Sequence, residues 1–151
     1  MLSPELAAAL AHYNRINLYG QANGMTLQVA APGQAEYHML IRPEHLSSPG
    51  TAHGGVVAGL LDAALGAAAL SLAFTTGELV STVEFKLNYL RPVLLGNTLR
   101  AAAQVEHAGA SLIVCSATIY RRPAEAPAVE EVAVAQGLGT FNRYPASKRA
   151  L

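Results

Sequence analysis

The feature that most constrains the fold is one long apolar segment, Val56–Phe74. Its nineteen residues are nearly all apolar, so a helix formed there either crosses a membrane or is buried on all sides. Asp62, the only aspartate of the chain, would cost about 2.5–3.5 kcal/mol near the centre of a bilayer. No Trp/Tyr belt or Lys/Arg flank brackets the segment. We therefore predict a buried helix and no membrane-spanning segment.

The composition excludes several classes of protein. Ten Lys and Arg balance ten Asp and Glu, whereas a nucleic-acid-binding protein needs a basic surface. Hydrophobic residues make up 52%, which is too many for a disordered chain. The single Cys115 excludes a disulfide framework and suits a reducing compartment, so we expect a cytoplasmic protein. The histidines show no metal-ligand spacing, and we expect neither a metal nor a cofactor.

Charged residues make up only 13% of the chain, about half the usual share for a soluble domain. A surface so poor in charge is explained if part of it is buried against another copy of the chain. The composition therefore favours a homo-oligomer.

The chain is expected to form a single domain. Ser3 as N-cap and Pro4 in the first turn predict a short N-terminal helix. Met1–Leu10 lacks the basic start of a secretory signal. The expected bounds are 1–151 for the domain, about 4–19 for the N-terminal helix, about 25–141 for the core and 143–151 for a polar, frayed tail.

The remaining pattern predicts two strands, the buried helix at about Gly54–Ala73, and then four strands in a meander. The alternation over Thr82–Tyr89 is typical of a strand with two distinct faces, an apolar one formed by Val83, Phe85, Leu87 and Tyr89 and a polar one formed by Thr82, Glu84, Lys86 and Asn88. A curved antiparallel sheet wrapped around the helix buries it on most sides, and the helix's small residues allow close approach. We therefore predict an α+β domain that pairs with a second protomer, because one helix cannot fill both ends of such a sheet.

Several motifs follow one another in a specific order: His53-Gly54-Gly55, Leu60–Gly66, Thr82–Pro92, Val105–Gly109 and Val134–Phe141. In these motifs the chain resembles the hotdog-fold thioesterases, in the branch of phenylacetyl-CoA-type acyl-CoA thioesterases. The resemblance spans about residues 25–141. It implies the hotdog fold, hydrolysis of an aryl- or medium-chain acyl-CoA, and a homodimer that pairs further into a tetramer.

Physical reasoning reaches part of the same site from the residues alone. Gly54 and Gly55 begin the buried helix, where backbone N–H groups are unpaired and the helix dipole is positive. Because glycine has no side chain, a ligand carbonyl can approach these N–H groups, as an oxyanion hole requires.

Asp62 is the candidate acid or base. Gly54 and Asp62 are about 12 Å apart along a helix, and His53 and Asp62 lie on opposite faces. We therefore expect Asp62 to act with Gly54 of a partner protomer, as the resemblance also implies. Burial would raise the pKa of this carboxyl unless donors hold it ionised. The resemblance implies Thr82 as the donor, because the family places a hydroxyl residue at this strand position.

The implied mechanism has Gly54 polarising the thioester carbonyl while Asp62 activates water or attacks directly. His53 is expected to orient the loop or the thioester rather than act as a base. The candidate substrate-binding residues are Gly55, Ser47, Asn88 and Arg91, of which Arg91 would meet CoA phosphates. Ser47 stands where many relatives carry Asn or Gln, a departure that weakens its assigned role.

Other interpretations stay open at this level. A non-catalytic module that binds acyl-CoA or an acyl carrier on the same fold is the alternative function. A dehydratase would need His and acid placed to remove a proton from the acyl chain, and the motif fits hydrolysis better. Asp62 could also be a structural carboxylate, and Gly54-Gly55 could serve close packing alone.

Overall fold

The computed structural model of the chain describes residues 2–126 and 128–148. In these residues the helices are α1 (Pro4–Ile16), α2 (Leu18–Ala22) and α3 (Gly54–Ala73). The strands are β1 (Thr26–Ala31), β2 (Gln34–Leu40), β3 (Leu46–Ser48), β4 (Thr51–Ala52), β5 (Glu78–Tyr89), β6 (Asn97–Ala108), β7 (Leu112–Pro123) and β8 (Val132–Pro145). Short 3-10 turns cover Pro43–His45, Phe74–Thr76 and Ala146–Lys148.

Helix α3 forms the centre of the molecule. It packs against β2, β5, β6, β7 and β8, and Leu60, Leu61 and Leu65 are fully buried. By length and composition Gly54–Thr76 could cross a membrane, with a mean hydropathy of 1.9, yet 61% of its most apolar part is buried inside the fold. The predicted α+β architecture, a curved antiparallel sheet around a long buried helix, is confirmed.

Two glycines of β8 allow the sheet to approach this helix closely. A Cβ at Gly137 would lie 2.2 Å from the Lys86 carbonyl oxygen and 2.8 Å from Leu61 Cδ2. A Cβ at Gly139 would lie 3.0 Å from Leu65 Cδ1. The close contact between helix and sheet therefore depends on small residues in both elements, not in α3 alone.

The main sheet is antiparallel, with the strand order β1-β2-β6-β7-β8-β5. The predicted meander of four strands after the helix is therefore wrong in one respect. Strands β6, β7 and β8 follow one another as neighbours, but β5 pairs with β8. Strand β6 is already paired on both sides, by β2 and β7, so β5 takes the open edge beyond β8.

Strand β5 is consequently an edge strand with an exposed surface. Val83 is 58% exposed and Tyr89 is 56% exposed. The predicted alternation is interrupted, because the register of β5 against β8 shifts between Thr82 and Glu84. Leu87 alone of the four predicted apolar residues packs partly against the core.

The N-terminal helix is shorter than predicted and is broken at Asn17. Ser3 caps α1 as predicted, since its hydroxyl accepts a hydrogen bond from the Leu6 N–H at 3.2 Å. Asn17 ends α1 and caps α2, with its Oδ1 accepting from the Gly20 N–H at 3.0 Å. The two short helices therefore meet at an angle set by one asparagine.

The predicted frayed tail is wrong over its first residues. Strand β8 continues to Pro145, and the Arg143 guanidinium donates to Glu78 and to the Gly109 carbonyl oxygen. Arg143, which suggested a polar tail, instead forms these contacts near the end of β8, a strand paired on both sides. Residues 149–151 of the predicted tail lie outside the described residues.

The loop between β2 and β3 is anchored by a buried histidine. His45 is 3% exposed, and its Nδ1 accepts a hydrogen bond from the Arg42 N–H at 3.1 Å. In the described part of the chain, its buried Nε2 has no hydrogen-bond partner. Burial lowers the pKa of His45, and the Arg42 charge lowers it further, while Glu44 acts in the opposite direction.

This arrangement predicts that stability falls in mild acid. Below pH 6.5, the ordinary pKa of histidine, the unfolded chain takes up a proton at position 45 that the folded chain resists. The free energy of unfolding should therefore decrease as the pH falls, by at most about 1.4 kcal/mol per pH unit from this group. Urea unfolding at a series of pH values and a fixed protein concentration measures this slope.

His45→Asn retains an acceptor near the position of Nδ1 but cannot be protonated. Its free energy of unfolding should therefore change less steeply with pH than that of the wild type. His107→Asn, at an exposed histidine of β6, is the matched control and should keep the wild-type slope. Equal slopes for wild type and His45→Asn would contradict the interpretation.

Candidate active site

The first turn of α3 is organised by His53. This residue is the N-cap of the helix, and its Nδ1 accepts a hydrogen bond from the Gly55 N–H at 2.8 Å. The His53 N–H donates to the His45 carbonyl oxygen at 2.8 Å, which ties the helix to the anchored loop. Since Nδ1 accepts, a neutral His53 carries its proton on Nε2. His53 therefore caps α3 and ties it to the loop, while its expected role in orienting the thioester stays a prediction.

The cap separates the roles of the two glycines. The Gly55 N–H already donates to His53 Nδ1, so this N–H is not free to contact substrate as expected. The Gly54 N–H, by contrast, has no acceptor among residues 2–126 and 128–148. One free N–H at the positive end of a long helix is suited to bind a carbonyl oxygen or an oxyanion.

Tyr89 explains why residue 54 is a glycine. Its hydroxyl donates to the Gly54 carbonyl oxygen at 2.8 Å, and a Cβ at Gly54 would lie 3.1 Å from that hydroxyl. The last residue of β5 thus holds the first residue of α3. The sequence pattern predicts Tyr89 only as part of an apolar strand face, although the residue lies within one of the motifs.

A cavity of about 310 Å³ opens at Gly54. It is also lined by Tyr89 and Arg91, so two of the predicted site residues come together there. Arg91 Nη1 donates to the Ala133 carbonyl oxygen at 2.7 Å, which fixes the guanidinium beside the cavity. Ser47 and Asn88 are exposed and line neither this cavity nor those at Asp62.

Asp62 is paired with Thr82, the donor that the family resemblance implied. The Thr82 hydroxyl donates to Asp62 Oδ1 at 2.9 Å, which joins the middle of α3 to β5. Within the described residues no donor contacts Oδ2, so this oxygen is open to water or a ligand. A carboxylate held by one oxygen and open at the other can accept a proton from water or act as a nucleophile.

Two cavities meet at this carboxylate. One, of about 400 Å³, lies between Asp62 and residues of α1 and α2, including Tyr13. The other, of about 170 Å³, extends from Asp62 to Thr82 and Phe141. Burial raises the pKa of the Tyr13 hydroxyl, and the charge of Asp62 raises it further. Tyr13 therefore stays protonated as a neutral neighbour of the carboxylate.

Gly54 and Asp62 do not share a cavity within one chain. No residue lining the Gly54 cavity lines either of the two cavities at Asp62. The Gly54 N–H and the Asp62 carboxylate are therefore separate in one chain, and each is tied to β5, through Tyr89 and Thr82 respectively. Among the described residues, no three His, Cys, Asp or Glu side chains are grouped to hold a metal ion.

Comparison with known proteins identifies the family. The thioesterase superfamily matches residues 49–128, a span that contains Gly54, Asp62, Thr82 and Arg91. Human acyl-coenzyme A thioesterase 13 is 33% identical over 99 residues, which cover 65% of this chain and 69% of that protein.

Solved structures agree with the match. A thioesterase family protein from Silicibacter pomeroyi superposes with a TM-score of 0.80 at 27% identity, covering 93% of this chain and 98% of that one. The PaaI protein of the E. coli phenylacetic acid degradation operon has a TM-score of 0.83 at 24% identity, covers 95% and 96% of the two chains, and shows the same fold. The family predicted from the motifs is confirmed: the chain belongs to the thioesterase superfamily and is a thioester hydrolase.

Proposed function

We propose that the protein hydrolyses acyl-CoA thioesters, with an aryl- or medium-chain acyl group, at sites shared between two protomers. The observation that carries the proposal is the Asp62–Thr82 pair, which lies in a cavity separate from that of the Gly54 N–H. The human relative, named as an acyl-coenzyme A thioesterase, supports the substrate class. A protein that only bound acyl-CoA would have no need of a partly buried carboxylate with one free oxygen.

The proposed reaction uses the Gly54 N–H of one protomer and the Asp62 carboxylate of its partner. The thioester carbonyl oxygen accepts a hydrogen bond from the Gly54 N–H, and the dipole of α3 stabilises the negative charge that develops there. Water adds to the carbonyl carbon as the partner's Asp62 takes its proton. The C–S bond then breaks, and the acid and the CoA thiol leave after the proton passes to sulfur.

A second route starts from the same geometry. Asp62 attacks the carbonyl carbon directly, the CoA thiolate leaves, and water hydrolyses the resulting anhydride. A single turnover in heavy-oxygen water identifies this route when label enters the Asp62 carboxylate, as it does when water attacks the Asp62 side of the anhydride. In the general-base route all of the label enters the acid product.

The edge strand β5 supports a shared site. Thr82 and Tyr89 are seven residues apart on β5, or about 23 Å at 3.3 Å per residue. Antiparallel pairing of two β5 strands about a two-fold axis between Phe85 and Lys86 would place Thr82 of one protomer opposite the partner's Tyr89. Each Asp62 would then lie near a Gly54 of the other chain. The exposed Val83 and Phe85 would be covered in the same contact.

We extend the proposal to the oligomeric state, the binding of CoA and the cellular location. Two such dimers are expected to form a tetramer, because a chain with 13% charged residues has apolar surface to cover. Arg91, beside the Gly54 cavity, has guanidinium N–H groups beyond Nη1 with which to meet the CoA phosphates. A cytoplasmic location fits the single, buried Cys115 and a CoA substrate.

The carboxylate is tested by Asp62→Asn. Because the amide cannot take a proton from water or form an anhydride, kcat should fall by about 100- to 10,000-fold while acyl-CoA still binds. Thiol release from a panel of aryl- and alkyl-acyl-CoAs measures activity, and calorimetry measures binding. Glu106→Gln, at an exposed carboxylate of β6, is the control and should match the wild type. If the wild type binds acyl-CoA tightly but hydrolyses none of the panel, the alternative function, a non-catalytic binding module, is favoured instead.

The oxyanion donor is tested by a matched pair of variants, Gly54→Pro and Gly54→Ala. Both place a Cβ against Tyr89, but only proline removes the N–H, and the extended His53 backbone (ψ 136°) accepts a following proline. We expect Gly54→Pro to lower kcat about 100- to 1,000-fold relative to Gly54→Ala. Equal activity of the two variants would remove the Gly54 N–H from the mechanism.

Sharing of the site between chains is tested by complementation. Asp62→Ala and Gly54→Pro are each inactive as homodimers, but a heterodimer of the two contains one intact site. Co-expression in equal amounts should therefore restore about one quarter of the wild-type activity, because half of the dimers are mixed. Purification with two different tags isolates the heterodimer. An inactive heterodimer of normal mass would contradict a site built from two chains.

A further inference from the structure

The aromatic end of Tyr19, on α2, occupies the space beside Gly59 on α3. A Cβ at Gly59 would lie 2.0 Å from the Tyr19 hydroxyl oxygen and 3.0 Å from Cζ. Any side chain at position 59 would therefore displace the tyrosine. Gly59 precedes Asp62 by three residues, so both lie on the same face of α3. The two short N-terminal helices thus reach the helix face that carries the carboxylate.

Tyr19 and Gly59 both line the cavity of about 400 Å³ at Asp62. Its other lining residues are Tyr13, Asn17 and Ala63. One wall is therefore α3, and the opposite wall is the α1–α2 segment. A cavity of this size next to the reacting carboxylate is large enough for the acyl part of a small thioester.

The other polar groups of this wall are already engaged. Asn17 uses its Oδ1 to cap α2 and its Nδ2 to donate to the Tyr37 hydroxyl at 3.2 Å. The hydroxyls of Tyr13 and Tyr37 interact with each other. These contacts hold Tyr13 and Asn17 in place through the buried Tyr37, so this part of the wall is rigid.

Tyr19 differs from its neighbours in this respect. No partner of its hydroxyl lies among the described residues, and the side chain is 51% exposed. Tyr19 lines the cavity and is also half-exposed to solvent. Tyr19 is therefore the boundary of the cavity, and its position depends on contact with Gly59 rather than on a hydrogen bond.

We propose that Tyr19, seated against Gly59, is the specificity-determining residue that limits the length of the acyl group bound at Asp62. This inference rests on the proposed acyl-CoA substrate. A short acyl group fits between α3 and the α1–α2 segment, whereas a longer one meets the tyrosine ring. Removal of the ring opens the cavity to solvent between α2 and α3, along which a longer chain can extend.

The experiment compares chain-length profiles of the full-length protein. The value of kcat/KM is measured for straight-chain saturated acyl-CoAs of increasing length, with wild type, Tyr19→Ala, Tyr19→Phe and Gly59→Ala. Tyr19→Ala should raise kcat/KM about 10-fold or more for chains beyond the wild-type limit and leave the shortest chains within about 3-fold. Tyr19→Phe, which keeps the ring, should retain the wild-type profile. Gly59→Ala should shift the profile as Tyr19→Ala does, since it displaces the ring.

Leu18→Ala is the control for damage to α2, because Leu18 is exposed and does not line the cavity. It should leave the profile unchanged. A Tyr19→Ala profile that superposes on the wild type, or that falls equally at every chain length, would overturn the proposal. The second result would mean that Tyr19 only supports the structure.

Failure of the proposed function is distinguishable from failure of this inference. Non-hydrolysable thioether analogues of the same acyl-CoAs report the Kd for each chain length without turnover. If the wild type hydrolyses nothing, a shift of the Kd profile toward longer chains in Tyr19→Ala still supports the boundary, and an unchanged profile refutes it.

Discussion

The burial of helix α3 inside the sheet is the constraint on which the rest of the structure depends. Six strands contact this helix, and Leu60, Leu61 and Leu65 are fully buried. The sheet comes this close because α3 is rich in Ala and Gly and because β8 has glycines at positions 137 and 139. A helix so enclosed exposes backbone donors only at its beginning and side chains only along one stripe. The candidate site is built from those two places.

Strand β5 connects the two places. Tyr89 at its end holds the carbonyl of Gly54, and Thr82 holds the carboxylate of Asp62. Since β5 is at the edge of the sheet, both contacts face the surface on which we propose that a second protomer binds. One strand would then position both catalytic groups and form the contact that brings them together. The N-terminal helices add the remaining wall, on the opposite side of the carboxylate.

Much of this was predictable because it depends on residues close together in the chain. The bounds of α3 and the Ser3 cap follow from local patterns. The Asp62–Thr82 contact, between residues twenty positions apart, was implied only by the family resemblance and not by a local pattern. The edge position of β5 was not predictable from the order of the strands along the chain. The place beside β6 is taken by β2, which precedes α3 in the sequence.

Other site features involve contacts that leave no local pattern. Tyr89 alternates like an ordinary strand residue, and His45 resembles any loop histidine. The use of the Gly55 N–H by His53 depends on a side-chain rotation that glycine spacing does not specify. Tyr19 reaches Gly59 only because Asn17 ends one helix and begins the next.

The sequence by itself determined that a helix apolar on every side, with a single aspartate, must be enclosed by a sheet, because neither water nor a bilayer suits it. It also determined which residue types could carry the chemistry. Only the tertiary structure decided which backbone N–H stays free and which strand is left at the edge. It also decided which tyrosine bounds the cavity at Asp62. These outcomes depend on contacts between distant segments, and such contacts are set by packing geometry rather than by local propensity.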